Sequence, residues 1–331
     1  VFVTALRSKR DQEIAPPPTV QITETAARES DLSWTPDGKA LILATERDGG
    51  RDLMRIAPAD EEKGWLKGFE FETETLVATG EEEHSARLSP DGSKLAFVRG
   101  LGTLVVRDME SGEETVLFDH WSEPDYEWSP DGRFIAYSAP DLEYNNDVWI
   151  VHADGSDRYN VSRHPDQDVD PHWSADGKRL VWTAKRHADT MDVHAVWLAR
   201  EDHEKTPEDW LAHWKSAGKK KGAKKDGNGD EKADENDENE EDAGDDEAED
   251  EEKTPAVEVV IDFDGLWERV ERLTALDGDE GSPLVADKGK TIVFTADPEG
   301  ERDLYAIDWK GGNMKRLTSG GQAPRNLQLG S

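Results

Sequence analysis

The sequence predicts an all-β fold, a β-propeller built from four-stranded blades. The first observation is a hairpin signal that occurs four times and once more in degenerate form: a Ser/Thr-Pro/Ala-Asp-Gly turn between short apolar stretches. The second is its spacing, since the turn Asp residues are 54, 40, 45 and 111 residues apart and the last interval contains an insertion. The third is that two further strand-like segments follow each hairpin. Turns and short strands with a period in the forties are typical of a propeller, one blade per repeat.

The hairpins supply the first two strands of each blade. They are LSWTPDGKALILAT (32–45), ARLSPDGSKLAFVR (86–99), WSPDGRFIAYS (128–138), PHWSADGKRLVWTA (171–184) and PLVADKGKTIVFTA (283–296). In the last of these, Lys288 precedes the Gly and no Pro is present, so we expect a different turn geometry there. No apolar pattern with a helical period runs through the chain, which argues against a helical fold.

The third and fourth strands follow from shorter patterns. The predicted third strands are RDLMRI (51–56), TLVVRD (103–108), NDVWIV (146–151), MDVHAVWL (191–198) and RDLYAID (302–308). A Gly-containing turn leads from each to a fourth strand, and these are TETLVAT (73–79), ETVLFD (114–119), DRYNVS (157–162), ERVERLT (268–274) and MKRLTSG (314–320). Four short strands joined by tight turns meet the requirements of a blade.

Both ends of the sequence are expected to lie within blades. VFVTALR and TVQIT have the pattern of the later strands of an earlier blade, and the last residues resemble the start of another hairpin. The predicted organisation is propeller over 1–200, a disordered charged insertion over 201–256 and propeller again over 257–331, truncated at the C-terminus. Six or seven blades are both compatible with this pattern.

Composition excludes several classes of protein. The net charge of −35 excludes a conventional nucleic-acid binder, which needs a basic face. No apolar run is long enough for a membrane span. The chain has no Cys, so it forms no disulfides. No phosphate-binding loop, zinc motif or nucleophile elbow is present, so we expect no cofactor, no metal and no catalytic residue in this segment.

Three of the 12 Trp residues occupy the same position of the repeat: Trp34, Trp128 and Trp173. Recurrence at one position indicates packing between blades rather than ligand binding.

The insertion has a strongly biased composition. Six Lys lie between Lys215 and Lys225, and 17 acids against one Lys follow from Asp226 to Glu252. Such a tract buries too little apolar surface to offset the entropy of ordering, which predicts disorder. Trp210, Leu211 and Trp214 could form one helical turn docked on the propeller. DGNGDE (226–231) begins like a calcium loop but lacks the Gly and the Glu that such a loop needs, so we expect a solvated tether.

Acidic residues recur where the innermost strand of a blade begins. If these strands line a central channel, the acids form a ring at one mouth, where they attract cations and the amino termini of peptides. The alternative is that Asp and Glu serve only as loop residues. A metal site in the loop 163–173, which contains His164 and His172, is the less favoured interpretation. The predicted channel-mouth residues are Glu29, Asp31, Glu123, Asp125, Asp168, Asp170 and Glu280.

The hairpins followed by DLY-type strands resemble the WD40-like repeats of the Tol-system propellers and of the tricorn-type serine peptidases. Two stretches are more similar to the tricorn type: TAARESDLSWTPDGK (25–39) and VEVVIDFDGLWERVERLT (257–274). This resemblance implies a multidomain hydrolase whose propellers filter unfolded peptides, with PDZ and peptidase domains further along the same chain. No position matches the catalytic motifs of that family.

Two functions from different classes therefore remain open. The first is a non-catalytic propeller that guides peptides in proteolysis. The second is a stand-alone Tol-system-like propeller that acts as a protein-interaction scaffold. An enzyme site inside the channel is disfavoured because the acids lie at strand starts and no His recurs. The resemblance slightly favours an exported or periplasmic location over a cytoplasmic one, and it leaves homo-oligomerisation open.

Overall fold

The structure is a computed structural model that describes residues 1–4, 18–47, 49–68, 70–187, 189–222, 257–324 and 327. It contains five four-stranded antiparallel sheets, each with its strands in sequence order, and one two-stranded sheet. The two-stranded sheet pairs β1 (Phe2–Thr4) with β2 (Thr19–Gln21). The predicted propeller of four-stranded blades is confirmed, and the two N-terminal segments that were predicted as strands pair with each other.

The five blades are numbered along the chain, and each begins with its innermost strand. Blade 1 contains β3 (Glu29–Trp34), β4 (Leu41–Arg47), β5 (Gly50–Pro58) and β6 (Phe71–Val77); blade 2 contains β7 (Glu83–Leu88), β8 (Lys94–Arg99), β9 (Thr103–Asp108) and β10 (Glu114–Phe118). Blade 3 contains β11 (Asp125–Trp128), β12 (Phe134–Pro140), β13 (Asn146–His152) and β14 (Arg158–Asn160). Blade 4 contains β15 (Asp168–Trp173), β16 (Arg179–Ala184), β17 (Asp192–Trp197) and β18 (Glu271–Arg272); blade 5 contains β19 (Glu280–Ala286), β20 (Thr291–Ala296), β21 (Asp303–Asp308) and β22 (Lys315–Arg316).

Short helices lie outside the blades. They are α1 (Gly64–Lys67), α2 (Arg200–Glu204), α3 (Pro207–Gly222) and two 3₁₀ helices, Leu266–Arg269 and Asp287–Gly289. We call the end of the blades where the innermost strands begin the top face. The opposite end, which carries the Asp-Gly turns, is the turn face.

The core lies between blades rather than within one blade. Four of the five apolar clusters join neighbouring blades, and the fifth joins blade 1 to the β1–β2 sheet. Both faces of a blade are therefore covered, which explains why β12 and β16 are buried along almost their whole length instead of alternating. Each large side chain buried in this way contributes about 1.5–3 kcal/mol.

The four regular turns share one geometry. The Ser or Thr before the turn donates its hydroxyl to the turn Asp, and the Gly has a positive φ near 70°, which only Gly adopts without strain. The hydroxyl contacts are Thr35–Asp37 (2.6 Å), Ser89–Asp91 (2.6 Å), Ser129–Asp131 (2.7 Å) and Ser174–Asp176 (2.6 Å). In blade 5, Asp287 and Lys288 themselves have positive φ, so that turn differs as predicted.

The recurring Trp position packs between blades in two of its three copies. Trp128 and Trp173 are buried, and each donates its indole N–H to a backbone carbonyl of the preceding blade, Arg87 (2.9 Å) and Glu127 (3.2 Å). The same prediction is wrong for Trp34, which is 46% exposed. Among the described residues no innermost strand precedes blade 1, and Trp34 instead packs edge-on against Trp65 of α1 at 5.1 Å.

The start of the insertion is helical rather than disordered. Trp210 of α3 is buried and stacks on Trp197 of blade 4 at 4.4 Å, while Trp214 contacts Trp309 at 5.6 Å. Burial of these indoles stabilises a helix that its composition alone would not. The predicted helical docking is thus confirmed for both Trp residues, but Leu211 is exposed. The calcium-like stretch 226–231 and the rest of 223–256 lie outside the described residues.

The segment 257–270 crosses the turn face from blade 3 to blade 4, and its Val259 and Leu266 are buried in the apolar cluster between these blades. Val259 N–H donates to the turn residue Asp131 (2.9 Å), and Arg133 donates to the Val259 carbonyl. Farther along, the buried Arg269 guanidinium donates to the carbonyls of Leu198 (3.0 Å) and Asp262 (2.7 Å). Both described flanks of the insertion are therefore held at the turn face, away from the top face.

Candidate functional site

Two polar positions recur at the top face, two residues apart. The first position lies just ahead of or at the start of the innermost strand and is occupied by Glu29, Glu83, Glu123, Asp168 and Glu280. The second position is occupied by Asp31, Ser85, Asp125, Asp170 and Ser282. Glu83 was not among the predicted residues, although it precedes its turn residue Asp91 by the same interval as Glu29 precedes Asp37.

In three blades the first position is buried inside the blade. Glu83 accepts from the Thr79 hydroxyl and from Arg99 (3.1 Å), and Asp168 accepts from Trp182 (2.7 Å). Carboxylates buried with such partners anchor the connection between blades. Asp168 and Glu280 are therefore not open to a ligand at the channel mouth.

Burial strongly perturbs the carboxyl of Glu280. It accepts from the Leu276 backbone N–H (3.1 Å) and from the Thr274 hydroxyl (3.0 Å), and no cation pairs with it among the described residues. Burial raises the pKa of Glu280 to about 7, and the nearby Asp192 adds to this effect. Glu280 is thus partly protonated near neutral pH.

Glu29 and Glu123 occupy the first position differently. Glu29 is largely buried and accepts from Thr23 (2.9 Å) and Thr25 (2.6 Å). Glu123 is half-exposed and contacts His84 of blade 2, whose Nδ1 lies 3.4 Å from its carboxylate. The hydrogen bond from His84 lowers the pKa of Glu123 to about 2. Glu123 therefore remains charged and links blades 2 and 3.

The second position is exposed at Asp31 and Asp125 and partly buried at Ser85, Asp170 and Ser282, and in four of the five blades it coincides with a backbone irregularity. Asp31, Ser85, Asp170 and Ser282 all have φ between 49° and 61°. At the same places the strand register shifts against the second strand of the blade. A bulge with a left-handed residue reorients its side chain relative to a regular strand.

The innermost strands of blades 3 and 4 bring four charged side chains together. His172 Nε2 lies 3.0 Å from Asp170, and its Nδ1 lies 3.3 Å from Glu127. Burial alone would lower the pKa of His172, but hydrogen bonds to the two carboxylates raise it to about 10. In turn, burial would raise the pKa of Asp170, but the hydrogen bond from His172 holds it below its usual value. This imidazolium therefore joins two blades.

Asp125 is the member of this group that remains free. Its residue is exposed, and no hydrogen bond or ion pair within 4.0 Å reaches its carboxylate from any residue that the structure describes. Desolvation, followed by repulsion from Asp170, raises the pKa of Asp125. An accessible carboxylate beside a second carboxylate attracts cationic ligands.

The sequence did not indicate which acids would meet. Asp125 and Asp170 come together, Asp31 lies apart with Arg51 at 3.7 Å, and Glu29, Asp168 and Glu280 face inward. No group of three or more His, Asp or Glu side chains within the described ranges is arranged to hold a metal ion. Across those same ranges no helix is long and apolar enough to cross a membrane.

Comparison with known proteins supports the fold. No protein-family profile matches the chain. The tricorn protease homolog of Saccharolobus solfataricus is 25% identical over 146 residues, which is 43% of this chain and 13% of that protein. The chain thus spans a small part of the length of that relative.

Solved structures of known proteins also have a fold similar to that of this chain. The tricorn protease matches with a TM-score of 0.59 and 13% identity, covering 90% of this chain and 27% of its own. A TolB-like protein of Agrobacterium tumefaciens matches with a TM-score of 0.52 and 16% identity, covering 91% and 84%. A puromycin-hydrolyzing peptidase of Mycobacterium tuberculosis matches with a TM-score of 0.54 and 14% identity, covering 96% and 44%. This chain is a propeller of the kind found in these proteins.

Proposed function

We propose that this chain is a non-catalytic propeller that binds unfolded peptides at its top face and guides them, as part of a longer tricorn-like serine peptidase, toward the active site. The observation that carries the proposal is the free, solvent-facing Asp125 beside Asp170 on the innermost strands of adjacent blades. The sequence similarity to a tricorn protease homolog supports the peptidase context. PDZ and peptidase domains of the same chain are the partners that this context would require.

The top face is suited to cations rather than anions. Asp31, Glu123, Asp125 and Asp170 expose carboxylate at the starts of three innermost strands, whereas His172 and Arg87 are engaged with neighbouring groups. Neighbouring carboxylates of one sign create a local field that concentrates ammonium and guanidinium groups. A peptide amino terminus or Lys side chain would therefore meet Asp125 first. The buried acids hold the strand starts in place around it.

Removing the Asp125 and Asp170 charges together should weaken the binding of a Lys-containing unstructured peptide. Because exposed charge pairs each contribute up to about 1 kcal/mol, we expect Asp125→Asn with Asp170→Asn to raise the Kd roughly five- to twentyfold at low salt. Fluorescence anisotropy of a labelled peptide measures this, and the difference should shrink at high salt.

The matched control removes two exposed acids from the opposite end of the molecule. Glu110 and Glu113 lie in the β9–β10 connection at the turn face, so Glu110→Gln with Glu113→Gln changes the net charge equally. It should leave the Kd within about twofold. Equal weakening by both double variants would mean that net charge, and not the top face, attracts the peptide.

The guiding role needs a test in the longer protein. With the propeller intact, cleavage should discriminate between long and short unstructured peptides, and removal of residues 1–331 should abolish that discrimination while activity on short peptides remains. A natural chain without any peptidase region would instead support the interaction-scaffold function.

A further inference from the structure

An open groove of about 520 Å³ lies at the top face of blade 3. One wall is the connection that leads into β11, and the other is the β12–β13 loop, which begins where β12 ends at Pro140. The lining residues are Asp119, His120, Trp121, Pro140, Asp141 and Leu142. The groove is therefore continuous along the chain with Glu123 and Asp125 of the candidate site.

Three large apolar side chains stand exposed at this groove. Leu142 is 89% exposed, Tyr144 is 70% exposed and Trp121 is 45% exposed. The Trp121 and Tyr144 side chains contact each other edge-on, with centroids 5.4 Å apart. Single exposed apolar residues are ordinary, but a contiguous group on two adjoining loops indicates an interaction site.

The groove is preformed, because hydrogen bonds within the chain hold both of its walls. His120 bridges the two walls, because its Nδ1 accepts from Ser122 N–H (3.1 Å) and its Nε2–H donates to the Pro140 carbonyl (2.7 Å). The loop is closed by the Asp141 carboxylate, which accepts from the backbone N–H groups of Glu143 (2.8 Å) and Asn145 (2.9 Å). A preformed site loses less entropy on binding than a flexible one.

The conformation of Tyr144 is unfavourable for its residue type. Its φ of 65° lies in the left-handed region, which costs a non-Gly residue of order 1 kcal/mol or more. Gln167 of the connection into blade 4 holds it there by donating to the Tyr144 carbonyl (2.8 Å). The neighbouring blade thus keeps the Tyr144 side chain beside Trp121.

A second blade supports the other wall. The Gly102 backbone packs so closely on this wall that an added Cβ would lie 2.1 Å from the Ser122 carbonyl oxygen. Leu101, next to it in blade 2, is 75% exposed and extends the apolar surface in that direction. The groove therefore has apolar neighbours on blades 2 and 3.

The charge around the groove has one sign. Asp119, Asp141 and Glu143 lie on its two walls, and none of the three forms an ion pair with any residue that the structure describes. The hydrogen bond from Asn145 N–H holds the pKa of Asp141 below its usual value, so this carboxylate stays ionised. Unpaired carboxylates beside exposed aromatic side chains exclude acidic partners and anionic membrane surfaces, and they favour cations.

We propose that this groove docks extended peptide segments in which a large apolar side chain lies next to Lys or Arg. The apolar side chain would contact Trp121, Leu142 and Tyr144, and the basic side chain would pair with Asp119 or Asp141. This rests on the proposed function and specifies its substrate class, since a segment bound here leads along the top face to Asp125. Aromatic anchors with adjacent charged groups are the usual source of affinity and selectivity in such contacts.

Three short, dye-labelled, unstructured peptides test the proposal on the whole chain. One contains Phe, Leu and Lys; the second has Glu in place of every Lys; the third has Ser in place of every Phe and Leu. We expect the first to bind at least about tenfold more tightly than the other two, by fluorescence anisotropy. The double variant Trp121→Ala with Leu142→Ser should raise the Kd of the first peptide about tenfold and leave the Kd of the third peptide unchanged.

The control is Trp267→Ala with Leu211→Ser, which removes an exposed Trp (42%) and an exposed Leu (52%) that do not line the groove. All variants keep the acidic tract 226–252, so any binding by that tract is common to them.

If the first peptide binds tightly and the groove variant does not raise its Kd, the groove is not the docking site, but the proposed function stands. Absence of binding by every peptide would overturn both. A concentration-dependent dimer that only the groove variant loses would show that a second copy occupies the groove, which also overturns the proposal.

Discussion

Replacing Arg186 by Gln is expected to lower the free energy of unfolding by about 3 kcal/mol at neutral pH. Arg186 donates to the fully buried Asp168 through Nε (3.1 Å) and Nη2 (2.6 Å). The second oxygen of Asp168 has no partner among the described residues, so Arg186 and Trp182 are what compensate this charge. Urea denaturation followed by far-ultraviolet circular dichroism measures the loss.

The loss of unfolding free energy caused by Arg186→Gln should depend on pH. Desolvation raises the pKa of Asp168, and loss of its cation raises it further, so protonation at low pH relieves the buried charge. We therefore expect the difference in unfolding free energy between the parent chain and Arg186→Gln to become smaller as the pH falls from 7 toward 4. Arg51→Gln is the control, because its exposed pair with Glu82 should contribute at most about 1 kcal/mol. A loss below that value for Arg186→Gln would show that Asp168 does not depend on its ion pair.

Replacing Glu280 by Gln is expected to stabilise the protein at pH 8. Because burial raises the pKa of Glu280 from 4.5 to about 7, the folded chain holds a proton that the unfolded chain releases between these values. Rising pH therefore removes stability across this window, by at most about 3 kcal/mol. The Gln amide can accept from Leu276 N–H with its oxygen and contact the Thr274 hydroxyl with its nitrogen, without a charge.

The comparison is the difference in unfolding free energy between Glu280→Gln and the parent chain, measured from pH 4 to 8. It should increase with pH by about 2–3 kcal/mol and level off above pH 7. Glu83→Gln is the matched control at the equivalent position of blade 2, where Arg99 supplies a cation at 3.1 Å. That substitution should destabilise. A flat difference for Glu280→Gln would mean that the folded chain holds no proton at this carboxyl.

Local chemistry allowed much of the fold to be predicted. The Asp-Gly turns need only neighbouring residues, the hydroxyl before the Asp and the Gly with positive φ, and their recurrence fixes the blade period. The strands follow because each is a short apolar stretch between such turns. Trp34 shows the limit of this reasoning. Its local sequence matches that of Trp128, but burial depends on a preceding strand that local sequence does not show.

The candidate site could be predicted only in part. The acids at the strand starts were visible as a recurring pattern, yet that pattern could not separate the fully buried Asp168 from the partly exposed Asp170 two residues later. The bulge that separates them depends on register against the second strand. Likewise, His172 joins Asp170 to Glu127 only because blades 3 and 4 lie side by side. The groove at Trp121 carries no repeat signal at all.

The propeller class, the positions of the turns and strands, and the acidic character of the strand starts depend on interactions within a few residues of the chain, so they can be predicted from local sequence. The folded molecule is needed to show which carboxylates are paired, buried or free, and that Trp210 docks on Trp197. It is also needed to show that two loops expose Trp121, Leu142 and Tyr144 together. Contacts between blades set these properties. They join residues that are far apart in sequence, and no local pattern records them.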